Sequence, residues 1–355
     1  MAEDRYHRSE KWRARALHVS PGASQTRSKR FCGGAYPAAL VTGAGATVWD
    51  VDGHEYLDWI CALGAVGLGY AHPEVNRAAR VQLAQGGVSF SLPNRIEGDY
   101  AEELLNALGW PEQVRFVKTG SEATEGAMMI ARRATGRRLI YSVGYHGWHE
   151  AHQEGPDLMQ VERLDELELP AGAAAVIIEP MRNDPPDIGA LERLRARCTA
   201  LGVVLIFDEC ITGFRWALGG ASEYCGVTPD LACFGKAMAN GFPLAAIVGP
   251  RALMEHAIPT VSSTFGGEAV SLAAARATLR VYRREPVIET MWKIGAALQA
   301  GLRCGGSPVR PVIEPCETAF LEQTAARGVL LHPAGCNVSY AHTMTDVERT
   351  LEACR

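Results

Sequence analysis

The sequence predicts an α/β fold: a mostly parallel central sheet with helices on both faces, joined to a small α+β domain. Three observations predict it. Short runs of aliphatic and aromatic residues recur, such as Val203–Phe207 and Leu231–Phe234, and runs that apolar read as strands buried on both sides. These runs alternate with segments of helical periodicity, the order a parallel sheet with crossover helices requires. The chain has 355 residues, 47% of them hydrophobic, enough for one large domain and a smaller one.

Taken in order, residues 9–18 form a short helix that Pro21-Gly22 ends. The polar stretch 23–30, with Arg27, Lys29 and Arg30, is a loop. Strands over 46–51 and 55–60 bracket Asp52-Gly53, a two-residue hairpin signal. Gly64, Gly67 and Gly69 lack the spacing of the dinucleotide fingerprint. His72-Pro73 opens a helix over 74–85 with Val75, Ala79 and Leu83 on one face, and a second helix covers 96–108. Strand Val114–Lys118, helix Ser121–Ala134, strand Arg138–Val143, strand Ala174–Ile178 and helix 188–201 follow, the last with Leu191, Leu194, Cys198 and Leu201 near one face. Beyond the two apolar runs already named come strand Leu244–Val248, a long helix over about 268–284, and a tail, 308–355, of short strands and helices. The expected organisation is an N-terminal segment, 1–73, packing with the small domain; a large domain, 74–267; and the small C-terminal domain, 268–355. There is no internal repeat and no low-complexity tract.

Composition narrows the function. A net charge of −5 and a pI near 6.1 leave no electrostatic footprint for nucleic acid or an anionic membrane. No apolar run approaches the roughly 20 residues of a membrane span, and Met1–Arg15 is charged with no apolar core, unlike a secretory signal. Ten cysteines, several inside apolar runs, include no C-x-x-C pair. This usage fits a reducing cytoplasm and argues against structural zinc.

The chemistry gathers at strand ends. Asp208 closes one apolar run and Lys236 follows another, and the carboxyl ends of parallel strands are where open α/β sheets bind ligands. A lone strand-end Asp also serves as a cap. Asp-Glu after an apolar run occurs too where P-loop ATPases hold Mg²⁺, but G-x-x-x-x-G-K-[ST] is absent upstream. Lys236 alone could be a surface lysine, yet Phe234, Gly235, Ala237 and Met238 around it suggest a half-buried turn. An acid and a lysine on one sheet edge suit pyridoxal 5'-phosphate, the lysine as Schiff base and the acid as partner of the pyridine nitrogen. Thr119-Gly-Ser-Glu122, between a strand and a helix, can cradle a phosphate on Gly120 and Ser121 or can be an ordinary Ser N-cap. Tyr145-His-Gly-Trp148 offers an aromatic for stacking or for loop packing. Glu179 could reach a cofactor's edge or hold a neighbouring loop. Ser262-Ser-Thr-Phe-Gly-Gly267 could add a phosphate contact or simply join a loop to a helix.

These motifs, with Trp49–Gly53, Leu68–Pro73, Phe207–Arg215 and Ser263–Gly267, make residues 9–355 resemble the class III aminotransferases of fold type I, and within them the glutamate-1-semialdehyde aminomutase-like branch. The resemblance implies a catalytic Lys236, an Asp208 paired with the pyridine nitrogen, a phosphate held by Gly120 and Ser121, and Tyr145 stacked on the ring. It also implies Thr264 reaching the phosphate of a neighbouring subunit in a homodimer, no metal, and an amine or amino acid with a keto acid or aldehyde as substrates. Three departures stand out. Lys29, beside Arg27 and Arg30, occupies the place of the aminomutases' early carboxylate-binding arginine. Leu63 replaces a tryptophan before the first active-site glycine. The segment between Trp148 and Ala174 and the tail after 300 are short, which suggests an open site suited to a bulky or tethered amine. Cys210 and Ile211 differ from the common residues as packing changes. The same residues would serve an aminomutase or racemase, and a non-catalytic binding protein on this fold is the third alternative.

Overall fold

The computed structural model describes residues 5–29, 36–149, 156–164, 167–181, 187–302, 304–314 and 317–355. Arg30, noted above, and two of the ten cysteines, Cys32 and Cys316, lie outside them. The chain divides into two compact units, one of residues up to His72 together with Glu289–Arg355, the other Pro73–Ile288.

The first unit opens with helix α1 (His7–Val19), longer at both ends than its sequence pattern. Its N-terminus is capped from outside: the Asp52 carboxylate accepts the Arg8 and Ser9 N–H groups at 2.6 and 2.9 Å. Asp52 can do so because it sits on the hairpin turn between β2 (Thr47–Asp50) and β3 (Glu55–Asp58), where Gly53 takes φ +91°. Buried Asp50 anchors that turn by accepting from Asp52 N–H, His54 N–H and the Tyr56 hydroxyl. Strand β1 (Leu40–Ala44), which pairs antiparallel with β2, was not legible in the sequence because it is largely exposed and shows no alternation. After β3, Cys61, Ala62 and Leu63 take φ of 49°, 51° and 60°. Three successive non-glycine residues in left-handed conformation are costly, about 1–2 kcal/mol each. The turn persists because the buried Asp58 carboxylate accepts the Ile60 and Cys61 N–H groups at 2.7 and 3.2 Å, while Asn337 donates to the Ile60 carbonyl at 3.1 Å.

The second unit begins with α2 (Pro73–Gln85) and α3 (Arg95–Leu108). Val75 and Ala79 are buried as expected, but Leu83 is 57% exposed, so the apolar face of α2 stops a turn short. Strands β4 (Gln113–Val117), β5 (Ile140–Val143), β6 (Leu158–Gln160), β7 (Ala175–Ile178), β8 (Val204–Asp208), β9 (Leu231–Phe234) and β10 (Ala245–Gly249) form one seven-stranded sheet in the order β4-β10-β9-β8-β7-β5-β6. The pairs from β9 through β6 are parallel, and β10 runs antiparallel to both β4 and β9. Helix α4 (Gly120–Thr135) crosses one face, touching β4, β7, β8, β9 and β10. Alternate strand residues Ala175, Ile177, Val204, Ile206, Leu231 and Cys233 join Ala123, Ala127, Met128, Ile130 and Ala131 of α4 in one core. Helix α5 (Ile188–Leu201) buries Leu191, Leu194 and Cys198. Phe234, of opposite parity on β9, meets Phe214 edge to face, and Phe214 meets Tyr282 likewise.

Tyr282 belongs to the long helix α7, Ala269–Arg284, which follows the short α6 (Ala221–Cys225). The sequence reading gave this helix to the C-terminal domain. Its buried face instead packs on α2 and α3 inside Pro73–Ile288, so the small unit starts one helix later. Helix α8 (Val287–Leu302), missed in the sequence, carries the chain onward with Met291, Ile294 and Leu298 buried at helical spacing. The tail then adds β11 (Gly305–Ser307), β12 (Arg310–Val312), α9 (Thr318–Ala326), β13 (Val329–Leu330), which pairs parallel with β3, and α10 (Met344–Ala353). No helix of the described residues is long and apolar enough to cross a membrane.

Asp52→Ala should remove the external cap of α1 at a cost of about 1 kcal/mol. The expected readout is faster amide exchange across His7–Val19, with the Pro73–Ile288 unit unchanged; unaltered exchange in α1 would show that the cap does not hold the helix.

Candidate active site

Because β4 runs parallel to β9, the carboxyl ends of β4, β5, β7, β8 and β9 lie at one edge of the sheet. That edge carries Lys118–Ser121, Gly144–Trp148, Glu179, Asp208 and Lys236. The sequence-predicted residues of this unit are therefore delivered together, with Thr264 left to a separate turn.

Asp208 ends β8 on the face covered by α4 and is 7% exposed. One carboxylate oxygen accepts the Cys210 N–H at 3.1 Å; the other meets His146 Nδ1 at 2.9 Å. His146 is buried, and its Nε2 donates to the Val143 carbonyl at 3.1 Å. Both ring nitrogens thus face acceptors. Burial alone would raise the Asp208 carboxyl, but the His146 hydrogen bond and the charges of His146 and Lys236 hold it below the usual carboxylate range. The result is a buried anion with lone pairs still open. The sequence reading took Tyr145-His-Gly-Trp148 for its aromatics and missed His146. The available signal was a histidine three residues past the end of a strand, on the edge that holds Asp208.

Helix α4 begins in a capping box: Thr119 Oγ1 accepts the Glu122 N–H at 3.2 Å, and the Glu122 carboxylate accepts the Thr119 and Lys118 N–H groups. The cap is Thr119, so Ser121 is not the N-cap considered in the sequence. Among the described residues, no acceptor takes the Gly120 or Ser121 N–H. These two donors, at the positive end of a 16-residue helix, form an anion cradle. A Cβ on Gly120 would lie 2.9 Å from Cys210 Sγ, and one on Gly235 would lie 3.5 Å from the same sulfur and 4.0 Å from Gly120 Cα. The cradle, the residue after Asp208–Glu209 and the residue before Lys236 are therefore in direct contact around Cys210. Lys236 is half-buried and takes φ +44°, a strained conformation for a side chain of its size.

The loop after β5 is fixed just as firmly. Gly144 (φ +115°) leaves room for Glu179, whose carboxylate accepts the Tyr145 N–H at 2.9 Å. Of the two roles open to Glu179, the geometry gives it that of holding this loop. Gly147 (φ +96°) packs on Ser121, where a Cβ would fall 2.2 Å from Oγ, and the Trp148 N–H donates to Ser121 Oγ at 3.3 Å. Tyr145 is 50% exposed beside this contact. Thr264 is exposed on the turn leading into Glu268, which caps α7 and pairs with Lys118 Nζ at 2.9 Å. Burial pulls Lys118 down from the usual lysine value. No described contact joins Thr264 to Asp208 or Lys236.

Next to the site, fully buried Glu209 holds the following loop, accepting from the Thr212 hydroxyl, Ala221 N–H and Ser222 N–H.

A buried anion, a nearby lysine and an anion cradle match the three charged or polar ends of pyridoxal phosphate, so the donor set fits this cofactor. Fold and site together define a fold type I pyridoxal phosphate-dependent transferase. The class III aminotransferase family profile matches residues 33–153 and 141–340. The chain belongs to the class III aminotransferases, and its cofactor is pyridoxal 5'-phosphate. It is 34% identical to a glutamate-1-semialdehyde 2,1-aminomutase of Thermomicrobium roseum, over 96% of this chain and 95% of the relative. It is 33% identical to a 3-aminobutyryl-CoA aminotransferase of Cloacimonas acidaminovorans, over 96% and 94%. Among solved structures it is similar to the FumI protein of a Sphingopyxis species in its pyridoxal phosphate internal aldimine form (TM-score 0.92, 31% identity, 98% of this chain and 95% of that one). It is also similar to an omega-transaminase of Sphaerobacter thermophilus (TM-score 0.86, 27% identity, 98% and 96%). The chain is thus an enzyme of the transaminase or intramolecular aminomutase type.

Burial pushes Glu209 up to about 7, from 4.5 for an exposed glutamate, despite its three donors. An acid whose folded value lies above its unfolded one binds its proton more tightly in the native state. Its stabilisation is complete below pH 4.5 and is lost as pH rises through about 7. The expected loss across that window is about 3 kcal/mol. Glu209→Gln should flatten this part of the stability curve in urea unfolding measured across the window; an unchanged slope would assign the titration to another group.

Proposed function

We propose that this chain moves an amino group from an amine or amino acid to a separate keto acid or aldehyde, as a homodimer in the cytoplasm. The observation that carries the reading is Asp208: a buried carboxylate kept charged by His146 on the sheet edge that also presents Lys236. When bound, the cofactor supplies a conjugated ring that draws electrons from the substrate's amine-bearing carbon. Asp208 receives the ring nitrogen's proton as a hydrogen bond and, by staying negative, keeps that nitrogen cationic. Gly120 and Ser121 bind the phosphate through their unpaired N–H groups. Tyr145 would stack on the ring face. Lys236 would anchor the cofactor at rest, and its freed amine would accept the proton from the substrate's amine-bearing carbon. His146 orients Asp208 and balances its charge without touching substrate.

An intramolecular amino shift is the second reading. The Thermomicrobium roseum relative favours it, and the same residues would perform it. The two separate on whether turnover needs a second carbonyl compound. Cytoplasmic location is supported by the cysteines: all eight in the described residues are free thiols.

The homodimer is supported by an apolar surface next to Thr264. The Ala269 N–H donates to the Val88 carbonyl, which ties the stretch carrying exposed Val88, Phe90 and Leu92 to the start of α7, four residues after exposed Phe265. Leu92 is 78% exposed, and several large apolar side chains exposed on neighbouring segments suit a contact surface. On this reading Thr264 serves the phosphate held by the neighbouring subunit.

Lys236→Ala should abolish turnover while retaining cofactor binding through the cradle, and His146→Ala should lower kcat about tenfold or more. Full activity in the first variant would remove Lys236 from its role. A second expectation concerns assembly. Phe90→Asp with Leu92→Asp should convert dimer to monomer in light scattering and weaken cofactor retention; a dimer of unchanged affinity would place the interface elsewhere.

A further inference from the structure

We propose that Thr124 is a positioning residue for this enzyme: its hydroxyl ties the His146 carbonyl to the first turn of α4 and so holds Asp208 in a fixed place relative to the anion cradle. This rests on the roles given above to Asp208 and His146.

Thr124 lies on α4 and is 1% exposed. A helical threonine ordinarily turns its hydroxyl back on a carbonyl three or four residues earlier. Here the Gly120 and Ser121 carbonyls each stand 3.1 Å from Thr124 Oγ1, but the His146 carbonyl stands at 2.6 Å, 22 residues further along the chain. A hydroxyl has a single hydrogen to donate. The shortest contact takes it, so the bond runs out of the helix to the loop after β5. Among the described residues, no other donor reaches that carbonyl.

His146 is the middle link. Thr124 holds its carbonyl, the Val143 carbonyl faces its Nε2, and Asp208 meets its Nδ1 at 2.9 Å. Two further contacts join the same loop to the same helical turn: Gly147 packs on Ser121, and the Trp148 N–H donates to Ser121 Oγ at 3.3 Å. Of the two hydrogen bonds, that of Thr124 is the shorter and the buried one.

Pyridoxal phosphate carries its phosphate and its ring nitrogen a fixed number of bonds apart. Gly120 and Ser121 receive the first and Asp208 the second, so the spacing of these two protein ends has to match the cofactor. The Thr124 hydroxyl stands in the line of contacts that sets this spacing. Without it a buried carbonyl loses its donor, and the loop that aims His146 is free to shift. An Asp208 less firmly held by His146 is a weaker partner for the ring nitrogen.

The test compares the holoenzymes of wild type, Thr124→Val, Thr124→Ser, His146→Ala and Thr124→Val combined with His146→Ala. Valine keeps the branched shape and removes the donor, serine keeps the donor, and Thr124→Ala is a second donor-free variant should valine not be tolerated. The titratable groups around Asp208 are His146, Lys236, Cys210 and Cys233. Thr124→Val alters none of them, so a shifted titration reports position rather than lost charge. In Thr124→Val, kcat should fall about threefold or more with KM little changed, and the cofactor's dissociation constant should rise by about as much. The pH midpoint of the bound cofactor's visible band should move up by about half a unit, because a less positive ring nitrogen leaves the linkage to Lys236 more basic. Thr124→Ser should restore all three, and in the His146→Ala background Thr124→Val should add nothing. A folded Thr124→Val with the wild-type midpoint and kcat, or one that costs as much in the His146→Ala background as in wild type, overturns the proposal while leaving the role of His146 in place. A His146→Ala enzyme indistinguishable from wild type overturns that role and this proposal with it.

Discussion

The contact between Asp208 and His146 is the constraint on which the rest of the site depends. A carboxylate this buried would ordinarily take up a proton, because desolvation disfavours its charged form. Here the opposing terms win. A histidine with both nitrogens directed at acceptors donates to one oxygen, a backbone N–H donates to the other, and the charge of Lys236 adds to both. The cost of maintaining a buried anion is met by neighbours whose own positions are fixed: the Thr124 hydroxyl donates to the His146 carbonyl at 2.6 Å, and Thr124 lies on α4. The helix that carries Gly120 and Ser121 and the histidine that holds the acid are thereby parts of one rigid assembly.

Sheet topology explains how residues so far apart in the chain arrive together. Helix α4 leaves the edge strand β4 and crosses the sheet, so its first turn comes to rest against Cys210 and Gly235, past the ends of β8 and β9. Only small residues allow that approach, which is why Gly120, Cys210 and Gly235 stand where they do. The strain at Lys236 and the tight glycines at 144 and 147 belong to the same economy of space. Backbone that departs from its preferred conformation at a sheet edge is held there by hydrogen bonds and packing, and serves to aim side chains.

The larger part of this was legible in the sequence. The apolar runs ending in Asp208 and preceding Lys236 gave both strands and both charges, and the Thr119–Glu122 motif gave the start of α4. What escaped had weak local signals. Strand β1 is exposed and unpatterned, β6 is only three residues long, and α8 follows the long helix α7 after a break of only two residues, so that its separate start carries little signal. His146 escaped because a single histidine carries no spacing pattern; its role exists only once β5 and β8 lie on either side of β7. Leu83 and the placement of α7 differed because helical periodicity shows which residues share a face but not how far the neighbouring helix extends, nor to which unit it belongs.

The chain has five lysines, Lys11, Lys29, Lys118, Lys236 and Lys293, and two of them, Lys118 and Lys236, stand on the same sheet edge. The Glu268 carboxylate already engages Lys118, whereas Lys236 contributes its charge to Asp208. The most direct measurement is therefore to load the protein with pyridoxal phosphate, reduce with borohydride, and map the modified peptide by mass spectrometry. Label confined to Lys236, and lost to solution in the Lys236→Ala protein, is the expected result; label on Lys118 in the wild-type chain would contradict the pairing of Asp208 with Lys236.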